Sequence, residues 1–140
     1  MKTKSVLATL AITLTFLFVA ACRSAGSSDE KLIKSVKSGD MTVTLSSSTG
    51  ELKSGDNEVM VTFTDASGKP VDVGAASLNF HMAAMGSMAE MNDRGTLTTT
   101  ETPGKYRAKV NIEIAGTWEA QVKYQGAHGT GQTSMNVQAK

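Results

Sequence analysis

The sequence predicts an all-β domain, a two-sheet antiparallel sandwich of roughly seven short strands. Three observations carry that expectation. From residue 41 onward apolar residues alternate with polar ones at a period of two. Glycine-, proline-, asparagine- and aspartate-rich turns punctuate the alternation at short intervals. No helical period of comparable regularity runs through the same region.

Taken in order, Met41, Val43 and Leu45 alternate with Thr42, Thr44 and Ser46, the pattern of a half-buried strand. Gly50 to Asn57 is polar turn material, after which Val59, Val61 and Phe63 alternate with Met60, Thr62 and Thr64. A turn at Asp65-Ala66-Ser67-Gly68-Lys69-Pro70 leads to a short Val71/Val73 segment. Ala76, Leu78, Phe80 and Met82 then share one parity, and Ser77, Asn79 and His81 the other. Thr96 to Thr100, with one leucine, reads as an edge strand. Tyr106, Ala108, Val110, Ile112 and Ile114 oppose Arg107, Lys109, Asn111 and Glu113, the clearest alternation in the chain. Gly116 interrupts it; Trp118, Ala120, Val122 and Tyr124 resume it, with Trp118 expected as a core anchor. Gly126 to Gly131 reads as a flexible loop, and Met135 and Val137 mark the last strand.

The N-terminal end differs in kind. Lys2 and Lys4 precede an apolar run from about Val6 to Ala21, the layout of a secretory signal. Val19-Ala20-Ala21-Cys22 resembles a bacterial lipobox, which implies cleavage before Cys22 and lipidation of that residue, the single cysteine of the chain. Several acyl chains on one residue anchor stably, whereas one chain binds only marginally. The expected organisation is a lipoprotein signal peptide over 1–21, a flexible tether over 22–39 and a β-sandwich domain over 40–140. Lys31, Lys34 and Lys37 fall in the tether segment. No disulfide can form within the chain, and any metal site must use methionine, histidine or carboxylates.

Composition excludes several functions. Without residues 1–21, twelve basic side chains stand against thirteen acidic ones, so there is no basic field for nucleic acid. The chain has no Gly-rich phosphate loop, no H-E-x-x-H and no G-x-S-x-G elbow. Ser87 lacks an identifiable base, and an enzyme is not expected. Two histidines without a free cysteine do not fill a usual zinc site.

One stretch stands apart. Met82, Met85, Met88 and Met91, four of the eight methionines, recur every third residue, and His81 adjoins the first. Thioether sulfur is a soft neutral ligand suited to Cu(I); it is also a flexible filler of cores and adaptable surfaces. Parity assigns Met82 to the core and His81 to the solvent side. A spacing of three does not fit strand alternation, so Met85, Met88 and Met91 are expected on a helical turn or in a loop. There they either bind Cu(I), with His81 or Met82 contributing, or form an apolar cap or docking surface without metal. Glu90, Asp93 and His128 are the residues able to supply harder ligands if the fold gathers them.

A Gly-Lys-Pro-Val turn (68–71), the Met-rich strand end, Pro-Gly-Lys-Tyr-Arg-Ala (103–108) and Gly-Thr-Trp-Glu-Ala-Gln-Val (116–122) follow one another in that order. Together they resemble the YtkA-like/FixH-like domains of bacterial envelope proteins over residues 41–139. The resemblance implies an immunoglobulin-like sandwich and a setting of copper handling, in metal efflux or in supply to haem–copper oxidases. The expected protein is lipid-anchored in the cell envelope, faces the periplasm or exterior, and holds or transfers copper, most readily Cu(I). Its expected partners are the membrane and a copper acceptor, efflux or oxidase-assembly protein. The alternative is an interaction module whose methionine surface docks onto a membrane complex of the efflux type.

Overall fold

A computed structural model describes residues 29–140; the signal segment, Cys22 and the first part of the tether lie outside the described residues. The described chain is all-β and follows the expected antiparallel sandwich plan, with eight strands in place of seven: β1 (Lys31–Ser38), β2 (Met41–Ser47), β3 (Gly55–Thr64), β4 (Ala75–Met82), β5 (Met91–Thr99), β6 (Lys105–Ile112), β7 (Gly116–Gly126) and β8 (Gly129–Ala139). Every pair of neighbouring strands is antiparallel, in the order β1-β2-β3-β6-β5-β4-β7-β8. β5 joins the two halves: Met91–Gly95 pairs with β4 and Thr96–Thr99 with β6. The outermost strands, β1 and β8, approach each other, so the sandwich is nearly closed.

The additional strand corrects the expected tether. Lys31–Ser38 pairs with β2 along its length, with Ile33 and Val36 packed against the core. Lys31, Lys34 and Lys37 project into solvent. Their charges discourage pairing of this edge with other chains. Glu30, just before the strand, is tied to Lys105 at 2.7 Å and accepts a hydrogen bond from Ser46 at 3.3 Å. With apolar residues at 33 and 36, the alternation is weak, because an edge strand contributes little to the core.

The Thr-rich segment is an edge as expected, but not a separate strand: Thr96–Thr99 is the second half of β5 and is paired with β6 alone, while the first half pairs with β4. One further expectation changes: the Gly126–Gly131 stretch is not an open loop. Gly126 pairs with Gly129, and the ladder continues through Gln125–Thr130 and Tyr124–Gly131, leaving Ala127 and His128 as the turn.

The core follows the alternation. Val43, Leu45, Val61, Phe63, Leu78, Phe80, Ile112, Trp118 and Val122 are fully or almost fully buried. Trp118 is the anchor expected of it, and its indole N–H donates to Ile114 O at 3.0 Å, which removes the cost of burying that polar atom. Phe63 meets the edges of Tyr106 and Tyr124, with ring centroids 5.7 and 5.4 Å apart. The Tyr106 hydroxyl donates to Gly74 O at 2.8 Å, and burial together with the neighbouring Asp72 carboxylate raises its pKa. These tyrosines hold one end of the sandwich; the methionine segment leaves from the other.

Candidate metal site

The methionine segment is a β-hairpin, neither a helical turn nor an irregular loop. β4 and β5 pair from Leu78–Gly95 through His81–Asn92 to Met82–Met91. Beyond them Met85 and Met88 face each other at the tip, N–H to O in both directions at 3.1 and 2.9 Å. Gly86 and Ser87 are the two turn residues. Gly86 has φ of 57° while Ser87 stays out of the left-handed region, as a type II′ hairpin turn requires.

The register explains the spacing. A three-residue repeat folded about Gly86-Ser87 becomes two cross-strand pairs, Met82 with Met91 and Met85 with Met88. Directly opposed residues share a face, and successive residues alternate between faces. Met82 therefore points inward with Phe80 and Leu78 and is buried, and Met91 packs partly against the same core. Met85 and Met88 are 59% and 43% exposed, the most solvent-exposed methionines of the described chain. By register they lie on the outer face, with His81 and Glu90. The His81–Glu90 contact, Nε2 to Oε2 at 3.5 Å, shows that this parity persists into the connection.

The structure thus divides the five candidate ligands. Met85, Met88 and His81 share the outer side of the hairpin; Met82 and Met91 form a pair on the inner side. Of the harder candidates, Glu90 stays beside His81, but Asp93 turns inward. It is buried, and its Oδ2 accepts the Glu113 N–H at 3.0 Å, so it serves the β6–β7 connection. His128 sits at the opposite end. His81 is in register with Glu119 of β7, and His128 follows Gly126 at the far end of that strand. Seven residues of strand separate the two ends, roughly 23 Å at about 3.3 Å per residue. Among the described residues no three His, Cys, Asp or Glu side chains gather as a metal-binding group.

What the outer side offers is two opposed thioethers on flexible side chains, one imidazole at the base and one carboxylate bonded to it. Two soft neutral donors and one nitrogen match the low coordination that Cu(I) accepts and fit oxygen-preferring cations poorly. The hairpin register is the feature that reading the spacing alone misses. Its signal is present as Gly-Ser between two equally spaced methionine pairs, a two-residue hairpin signature.

Fold and hairpin together define an all-β sandwich domain with a projecting methionine tip. Residues 35–123 match the model of the YtkA-like family, and the chain belongs to that family. No curated protein and no solved structure matches the chain.

Proposed function

We propose that this protein is a lipid-anchored component of the bacterial cell envelope that binds Cu(I) and holds it or hands it to a partner. Met85 and Met88 supply thioether ligands and His81 an imidazole nitrogen, while Met82 and Met91 pack the base of the hairpin. The observation that carries the reading is the exposed, directly opposed Met85–Met88 pair. Exposed methionine gains little packing, so a pair held together by a tight turn calls for a ligand or a partner. Neutral ligands on an exposed tip allow release to an acceptor, of the efflux or oxidase-assembly kind, without separating charge. Cys22 is the proposed lipid attachment, at the periplasmic or exterior side of a membrane. No catalytic role is proposed.

A second reading rests on the same exposure. With Leu32, Met85 and Met88 are the exposed large hydrophobic residues of the described chain, so the tip also suits docking onto a membrane complex without metal. An anaerobic Cu(I) competition titration of the full chain against a chromophoric chelator separates the two. Copper binding predicts one tightly held ion per chain, lost in Met85→Leu/Met88→Leu and kept in Met82→Leu/Met91→Leu. Leucine preserves volume and hydrophobicity but removes sulfur. Equal, weak competition by the wild type and both variants overturns the copper reading.

A further inference from the structure

The outer face of β4, β5 and β7 carries a second feature, independent of the methionines. A groove of about 610 Å³ runs over it, within the size range of small-ligand sites. Its shape follows from residue size. The central strand β4 presents Ser77 and Asn79, while β5 presents Asn92 and Arg94 and β7 presents Gln121 and Lys123. Short side chains between longer ones make a trough.

The hydrogen bonding decides its chemistry. Asn79 Nδ2 donates both to Asn92 Oδ1 at 3.1 Å and to Gln121 Oε1 at 3.2 Å, forming a belt of three carboxamides across three strands. This takes up the outer oxygens and leaves the amide nitrogens of Asn92 and Gln121 to bond outward. Asn79 Oδ1 is buried without a partner, so it is closed to anything in the groove. No carboxylate lines the trough. Among the described residues, neither Arg94 nor Lys123 takes part in an ion pair. Asn79 is in register with Arg94 on one side and Gln121 on the other, and Ser77 with Lys123, so the two cations flank the belt from opposite strands. The outcome is a pre-organised set of donors, two of them charged, with almost no acceptor.

We propose that this groove binds a phosphate-type oxyanion, with Arg94 and Lys123 neutralising it and the Asn92 and Gln121 amides orienting it. Charge-assisted hydrogen bonds of this kind are about twice as strong as neutral ones. The ligand is either free phosphate or a phosphate carried on a glycerol headgroup, which present the same oxygens. Arg94 and Lys123 are exposed, so their replacement leaves the core intact.

The test is an NMR titration of the ¹⁵N-labelled full chain in non-ionic detergent micelles, following side-chain amides and the arginine Nε–H. Inorganic phosphate and glycerol phosphate are added separately, against sodium chloride at equal ionic strength. The expected result is saturable shifts at Asn92, Gln121 and Arg94, weakened about tenfold or more in Arg94→Gln/Lys123→Gln, the loss of at least one charge-assisted hydrogen bond. Tighter binding of inorganic phosphate identifies the free ion as ligand, and tighter binding of glycerol phosphate a headgroup. Linear shifts matching those in chloride, or saturation unaffected by the double substitution, overturn the proposal. Copper plays no part in this measurement, so its result and that of the copper titration are independent.

Discussion

The two methionine pairs of the hairpin are chemically identical and placed in opposite worlds. Met82 and Met91 are opposed across β4 and β5 at the mouth of the core; Met85 and Met88 are opposed across the tip and surrounded by solvent. In the first pair the thioether is a filler. Met82 reaches the β6–β7 turn, where its terminal methyl lies within 3.0 Å of the space a side chain on Gly116 would occupy. In the second pair the same flexibility fills nothing. One sequence repeat therefore yields a structural pair and a free pair, and only the fold of the hairpin separates them.

The difference can be broken or sharpened by substitution. The largest expected effect is at the inner pair: Met82→Ala leaves a cavity beside Phe80 and costs about 2–5 kcal/mol of stability, measured by urea unfolding. A cost near zero would mean that the pair is not packed as described. Next comes the turn. Gly86→Ala places a side chain where φ is 57°, with open space around it, so the penalty is conformational alone. It amounts to about 1–2 kcal/mol. Because the tip is outside the core, this cost is expected as fraying, with faster hydrogen exchange at the Met85 and Met88 amides and little change in the rest of β4 and β5. The smallest effect belongs to the tip side chains: Met85→Leu/Met88→Leu should alter stability by no more than about 0.5 kcal/mol. A loss comparable to that of Met82→Ala would place the tip in the core and remove the contrast.

Much of the fold was legible because burial on one face of a strand writes itself as alternation. Tyr106 to Ile112 and Trp118 to Tyr124 became β6 and β7, and Trp118 the anchor. Lys31–Ser38 was missed because an edge strand packs few side chains, so three lysines and two serines outweigh Ile33 and Val36. The Thr96–Thr99 half of β5 was readable as an edge, because a segment paired on one side only, here with β6, buries few side chains and carries a single leucine. At the candidate site, the inward parity of Met82 and the outward parity of His81 were readable. The inward turn of Asp93 and the distance of His128 were not, since both depend on which strands lie side by side.

By itself, the sequence determined the strand periods, the side of each strand that is buried, the absence of a disulfide framework and the supply of soft ligands, because these depend on residue type and local spacing. Tertiary structure alone decided which residues meet. Chain reversal at Gly86-Ser87 turned a repeat of three into two pairs, one buried and one free. Pairing of β4 with both β5 and β7 brought Asn79, Asn92 and Gln121, and with them Arg94 and Lys123, onto one surface. Register is a property of two strands at once, and no single stretch of chain contains it.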